Sequence, residues 1–254
     1  MSDLGFPFFS IVTVVYNDSE GLSCTGESLS TQSFDGFEWI IIDGGSTDGT
    51  LDIIKQYDTQ SLKWLSEKDN GIYDAMNKGI SMSTGEYVVF LNAGDVFESN
   101  KTLSNVMDNV QQNHPRTDIL FCGASLSFKN KKIIYRPTRL IEKYIWHGLP
   151  ANHQATFFKR SLLSCKSYSD LYVLTGDYFL VADLFNKGVN CQYLEEPVVR
   201  FSIGGFSHKN PLLALKEAYQ IQKNVLGTSF LFRVSSGFTR LVSIVLVTII
   251  YRFS

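Results

Sequence analysis

The chain has 254 residues, 44% of them hydrophobic and 19% charged, with a formal net charge of −2. That is enough apolar material for one large domain or two small ones, and a balance so close to neutral excludes a general nucleic-acid binder, whose footprint would be strongly basic. The charge is unevenly spread, since Lys209, Lys216, Lys223, Arg233, Arg240 and Arg252 against Glu217 give the last stretch +5 and leave −7 on the rest.

Phe8 to Tyr16 is apolar and β-branched and reads as a strand, with Asn17-Asp18-Ser19 starting a helix that runs to about Gln32. Trp39 to Ile42 is a second strand. Its unbroken aliphatic run suits a strand covered on both faces, and it ends at a carboxylate, Asp43. Gly44-Gly45-Ser46 turns the chain, and Thr47 or Asp48 offers an oxygen to cap a helix over Thr50 to Tyr57. Leu62 to Leu65 is a third strand, and residues 72–82 place Ile72, Met76 and Ile80 on one buried helix face. Tyr87 to Leu91 is a fourth strand and ends in Asn92-Ala93-Gly94-Asp95.

Strand and helix therefore alternate through residue 97, and the junctions after strands repeatedly supply Asp or Asn. Ligands in open α/β sheets sit beyond the carboxyl ends of the strands, so this acidic edge describes a nucleotide-binding half-sheet. Neither a G-x-G-x-x-G turn after the first strand nor a G-x-x-x-x-G-K-[ST] loop is present.

The second half is more mixed. Asn105 to Gln112 closes a helix, Asp118 to Phe128 and Lys132 to Tyr135 read as paired strands, and His153 to Phe158 as a short strand. Asp177 precedes an apolar helical run, Tyr178 to Phe185, and Val189 to Phe201 is a last strand, followed by a glycine-rich loop with His208. The tail from Asn210 holds two helices. Its apolar run, Leu241 to Tyr251, is shorter than the roughly 20 residues a spanning helix needs. A basic amphipathic helix on an anionic membrane surface fits it better than a helix docked on the protein's own core. The expected division is 1–97 as the nucleotide-binding half, 98–208 as the second half of the same domain, and 209–254 as the helical tail. The four cysteines show no paired spacing and read as reduced core residues, and MSDLGFPFF lacks the features of a signal peptide, so the expected place is the cytoplasm.

An acidic cleft meets an anionic nucleotide diphosphate only across a divalent cation, Mn or Mg, and Asp95 at the tip of the fourth strand is placed to hold it. A second carboxylate must take a proton from an incoming hydroxyl; Asp177 is the candidate base, and a helix cap is its plainer role.

Five stretches in order, IIDGGSTDGT, EKDNGIYDAMNKGI, FLNAGD, HQATFF and TGDYFL, resemble family 2 glycosyltransferases, in particular those of colanic-acid, exopolysaccharide and O-antigen biosynthesis. The likeness spans about residues 8–208. It implies a GT-A fold, with a mixed, mostly parallel sheet flanked by helices. It further implies inverting transfer from a UDP- or GDP-sugar to a growing glycan carried on a polyprenyl diphosphate, at the inner face of a bacterial plasma membrane. By the resemblance Asp43 binds the nucleobase with Tyr16 stacking nearby, Asp69 and Asn92 line the nucleotide site, Asp95 holds the metal and Asp177 is the base. His153, Gln154 and His208 are candidates for contact with acceptor or sugar. Two positions depart from the family's pattern: its D-x-D-D cluster is reduced to Asn92-Ala93-Gly94-Asp95, and Met76 replaces the Arg of A-R-N-x-G, which leaves Lys78 as the candidate phosphate cation. The competing readings are a sugar nucleotidyltransferase, which would need a basic glycine-rich loop, and a nucleotide-sugar-binding regulator without turnover.

Overall fold

A computed structural model describes residues 6–57, 61–113, 115–128, 131–201 and 210–253. The first half alternates strand and helix: β1 (Phe9–Val15), α1 (Ser19–Ser30), β2 (Phe37–Asp43), α2 (Thr50–Gln56), β3 (Leu62–Ser66), α3 (Ile72–Met82) and β4 (Tyr87–Phe90). The short β5 (Val96–Phe97), α4 (Thr102–Asp108), β6 (Ile119–Phe128), β7 (Lys131–Tyr135), α5 (Ile141–Tyr144), β8 (Thr156–Lys159), α6 (Gly176–Asn186) and β9 (Cys191–Phe201) follow. Two helices, α7 (Pro211–Asn224) and α8 (Phe230–Phe253), end the chain.

The strands form one nine-stranded sheet in the order β3-β2-β1-β4-β8-β6-β9-β5, with β7 paired to β6. β3, β2, β1 and β4 run parallel, β8 is antiparallel to both β4 and β6, and β9 returns parallel to β6. β1 is flanked by β2 on one side and β4 on the other, so the chain reverses its winding there. The carboxyl ends of β1 to β4 open onto the crevice this reversal creates.

Alternation along the strands divides the core. Val12, Val14, Ile40, Ile42, Val88 and Phe90 face a layer that includes α3, α6 and α7. Ile11, Val15, Trp39, Ile41 and Val89 face the layer of α1 and α4. Both faces of the parallel half are covered, which is why its strands read as unbroken apolar runs.

Several local expectations need correction. His153–Ala155 is a 3-10 turn and only Thr156–Lys159 is strand. The cap of α2 is Gly49, with φ of 97°, and neither Thr47 nor Asp48. Asp48 still takes the Thr50 N–H at 3.1 Å and its hydroxyl at 2.6 Å. Asp18 does cap α1, accepting from Gly21 N–H at 3.0 Å. All four cysteines are free thiols, but only Cys122 is buried, whereas Cys24 and Cys165 are exposed. The tail is docked along its first helix: Ala218, Ile221 and Leu226 belong to the core. Beyond it, Phe230, Leu231, Val234, Phe238 and Leu241 lie exposed on α8. Among the described residues no helix is long and apolar enough to cross a membrane.

Candidate active site

The loops after β1, β2 and β3 build the first part of the site. Tyr16, 65% exposed, follows β1. A Cβ on Gly44 would stand 2.6 Å from Asp69 Oδ2 and 3.3 Å from the Tyr16 ring, so the glycine lets the turn after β2 pass beside both. Tyr16, Asp69, Asn70, Ile72, Tyr73 and Val173 are among the residues around a cavity of about 840 Å³. Asp43 is not among its lining residues and is fully buried. Its carboxylate accepts from Ser46 N–H at 3.1 Å and Ser66 Oγ at 2.6 Å, so in this arrangement it orders the turn.

A second cavity, of about 490 Å³, lies at the end of β4. Asn92, His153, Gln154 and Asp177 all line it, and it shares Ile72, Tyr73 and Val173 with the first. Asn92 and Asp177, 85 positions apart in sequence, thus line the same cavity. Asp177 sits in the first turn of α6, where Oδ1 accepts from Tyr178 N–H at 2.8 Å and from the Tyr73 hydroxyl at 3.3 Å. Desolvation pushes its pKa up to about 6 against the pull of those bonds and of the Arg240 charge. A carboxyl so tuned is ionised at neutral pH yet basic enough to take a proton. Gly176 is required beside it, because a Cβ there would stand 2.8 Å from the Tyr73 ring.

His153 is buried, stacks on Phe90 with ring centroids 5.0 Å apart, and shares a 2.5 Å hydrogen bond between Nε2 and the Tyr168 hydroxyl. Burial draws its pKa down to about 4, so the ring is neutral at physiological pH. Lys78 lines neither cavity. It pairs with Glu67 at 2.8 Å and Asp74 at 3.4 Å, and Glu67 raises its pKa above the usual lysine value. The cation on the wall of the second cavity is instead Arg136, just after β7, which makes no ion pair among the described residues. Nothing in the sequence marked it, because it belongs to no recurring stretch and reaches the cavity only through the β6–β7 pairing. His208 lies outside the described residues.

The turn Asn92–Asp95 is stapled by Thr25 of α1, whose hydroxyl donates to Asp95 O at 2.8 Å, while Gly94, at φ 86°, donates to Gly21 O at 2.9 Å. Asn92 Oδ1 is a buried carbonyl oxygen with no hydrogen-bond partner among the described residues, and Asp95 is buried three positions on. Asn92 lines the second cavity, whereas Asp95, the expected metal ligand, lines neither. Among the described residues no three His, Cys, Asp or Glu side chains converge to hold a divalent cation alone, so a nucleotide diphosphate would supply the other ligands.

A parallel half-sheet with a polar crevice, joined to a second cavity holding a tuned carboxyl, defines the GT-A-like α/β fold. The glycosyl transferase family 2 model matches residues 10–171, and the chain belongs to that family. An uncharacterized glycosyltransferase of Mycobacterium tuberculosis is 29% identical over 178 residues, covering 70% of this chain and 66% of that protein, so this chain spans just under two thirds of its length. A PGL/p-HBAD biosynthesis glycosyltransferase of Mycobacterium bovis is 28% identical over 211 residues, 80% of each chain. Among solved structures, Staphylococcus aureus TarS in complex with UDP superposes with a TM-score of 0.69 at 17% identity, over 90% of this chain and 68% of that one. The Pyrobaculum calidifontis mannosyltransferase PcManGT, in complex with GDP-Man and Mn2+, gives 0.65 at 15% identity, over 94% and 75%.

Proposed function

We propose that the protein transfers a sugar, with inversion, from a UDP- or GDP-sugar to a hydroxyl of a growing bacterial surface glycan. The observation that carries this is the wall shared by the two cavities, Ile72, Tyr73 and Val173, with Asp177 on one side and Tyr16 and Asp69 on the other. The nucleobase stacks on Tyr16, and Asp69 accepts from the nucleoside. Asp43 is fully buried and already accepts from Ser46 and Ser66, so it would act on the base only through the turn it orders. The sugar then lies near Asn92, and the acceptor enters between Gln154 and Arg136. Asp177 removes the proton of the acceptor hydroxyl as its oxygen bonds to the anomeric carbon, and the bond from that carbon to the diphosphate breaks with its electron pair. Asp95 and Asn92 would hold Mn or Mg, which would supply neutralisation of charge on the leaving diphosphate; Arg136 is the arginine that lines the second cavity.

Bacterial envelope glycans are the field of the relative active in PGL/p-HBAD biosynthesis, which supports an acceptor of exopolysaccharide or O-antigen type. A polyprenyl diphosphate carrier fits the exposed apolar row on α8 beside Arg233, which would rest on the inner face of the membrane. A regulator without turnover is the competing reading, and measurable nucleotide release from the donor would exclude it.

Thermal unfolding against a panel of UDP-, GDP- and dTDP-sugars with Mn2+ tests the reading. A donor at about 100 times its Kd adds about 2.7 kcal/mol of stability. One nucleotide class should raise the midpoint, and the absence of a shift with every nucleotide sugar would overturn the proposal.

A further inference from the structure

Helix α7 carries a buried acid that the chemistry above leaves unused. Its inner face is Glu217, Ala218, Ile221 and Gln222, all buried. A carboxylate in such a stripe is costly to desolvate unless its oxygens are fully engaged. Glu217 is 3% exposed and pairs with no cation among the described residues. Oε1 accepts from Val173 N–H at 2.9 Å. Oε2 accepts from Leu174 N–H, Thr175 N–H and the Thr175 hydroxyl, each at 3.0 Å. Three consecutive amides are thus held by one side chain, and the next two residues are Gly176 and Asp177. Thr175 is the N-cap of α6 but makes no side-chain cap bond, since its hydroxyl is turned to Glu217.

We infer that Glu217 is a positioning residue for the catalytic carboxylate, fixing the 173–175 turn so that α6 begins with Asp177 against Tyr73 and the cavity. The inference rests on Asp177 being the base. Val173 and Leu174 line the second cavity and Val173 the first, so the same clamp sets part of the wall between them. Helix α7 is itself braced, because the Gln222 amide donates to Trp146 O at 2.7 Å and Ser236 Oγ at 2.8 Å. The tail is therefore the back support of the catalytic turn. A carboxylate suits this task better than an amide, because both of its oxygens accept and neither donates.

Glu217→Gln tests it. The single carbonyl oxygen cannot serve both sets of donors, and the amide nitrogen would face an N–H. Hydrogen exchange at 173–175 should accelerate at least about tenfold, a readout independent of turnover. Nucleotide release from the donor chosen by the panel, with glycan-bearing bacterial membrane extract as acceptor, should show kcat lowered about tenfold or more and donor KM changed by less than about twofold. Glu217→Asp, which keeps both oxygens, should restore part of kcat. The groups facing Asp177 are Tyr73 from α3, its neighbour Tyr178, Tyr168 and Arg240 from α8. With the turn loosened, water reaches Asp177, and the acid limb of kcat should move from about pH 6 toward the ordinary carboxylate range. Unchanged exchange would overturn the clamp. A lower unfolding midpoint with kcat and the acid limb unchanged would reduce Glu217 to a stabilising residue and overturn the positioning role. A fully active Asp177→Asn would remove the base on which the inference rests, while exchange would still decide whether the clamp exists.

Discussion

Asp177→Asn separates a catalytic base from a stabilising first-turn residue, because the two roles predict opposite changes in stability. The N-cap of α6 is Thr175 and not Asp177, which corrects the expected helix cap. Burial raises this carboxyl from 3.8 to about 6. The folded protein therefore holds the proton through roughly two pH units in which the unfolded chain has released it. The sign follows directly: the folded state is favoured by this group below pH 3.8, and that advantage is gone once the pH has risen through 6. Above pH 6 the ionised carboxyl costs up to about 3 kcal/mol. Asparagine removes the charge, but its one oxygen must serve Tyr178 N–H and Tyr73, and its amide needs a new partner, which returns about 1 kcal/mol. The net expectation at pH 7.5 is a gain of about 1–2 kcal/mol, a rise of about 2–8 °C in the unfolding midpoint. At pH 4 the gain should largely vanish. Transfer should fall about 10²- to 10⁴-fold, as for loss of a positioned base, with nucleotide-sugar affinity near wild type. The measurements are thermal unfolding at both pH values, calorimetry of donor binding, and nucleotide release. A midpoint that falls at pH 7.5 would make Asp177 a stabilising residue of the first turn of α6 and refute the reasoning. Near wild-type transfer would move the base elsewhere, with His153 and His208 the first candidates.

Tyr16→Ala should weaken UDP or GDP binding about ten- to hundredfold by calorimetry, since base stacking on an aromatic ring is worth about 1–3 kcal/mol; the exposed ring supports no core, so an unfolding midpoint lowered along with affinity would count against a stacking role. Asp95→Ala should weaken nucleotide diphosphate binding in Mn2+ and leave the metal-free affinity alone, and metal-dependent binding equal to wild type would remove Asp95 from the site. Liposomes rich in anionic lipid should sediment the protein at low salt and release it as salt rises, each basic residue near the surface contributing about 1 kcal/mol. Sedimentation indifferent to lipid charge would dismiss the basic tail as the anchor.

The parallel half of the fold was legible because each strand there is buried on both faces, so its apolar run is continuous and its ends are marked by a polar turn. Within β2, however, Glu38 is buried, and it is held by Ser10 Oγ, Thr84 N–H and Lys63 across three elements. No local pattern announces such a residue. His153–Ala155 looked like strand because its composition matches the strand that follows, whereas the 3-10 turn is set by contacts to Phe90 and Tyr168 from distant positions. The tail's apolar residues point to a membrane surface, and the partners of Glu217 and the Trp146 partner of Gln222 were invisible because they lie 42 to 44 and 76 positions away. The candidate site is read as residue types at strand ends; Arg136, Tyr73 and Glu217 come to it only in the assembled fold.

Helix α3 shows how one recurring stretch meets several demands at once. Ala75, Met76 and Ile80 fill the core under β1, β2 and β4. Gly79 lies against β1, where a Cβ would stand 2.3 Å from Val12 Cγ1, so any larger residue lifts the helix off the sheet. Asn77 spends both ends of its amide on one residue, donating to Tyr168 O at 2.8 Å and accepting from Tyr168 N–H at 3.0 Å. Tyr168 is thereby fixed to stack on Tyr73, with ring centroids 5.1 Å apart and planes 16° from parallel. The same Tyr168 hydroxyl meets His153. Tyr73 is left with its hydroxyl on Asp177 and its ring on the wall common to both cavities. Loss of Asn77 would therefore reach the base without touching it: Tyr168 loosens, Tyr73 loses its stacking partner, and Asp177 loses its tyrosine donor. The helix that lines the first cavity thus also carries the tyrosine whose hydroxyl donates to Asp177, the base in the function proposed above.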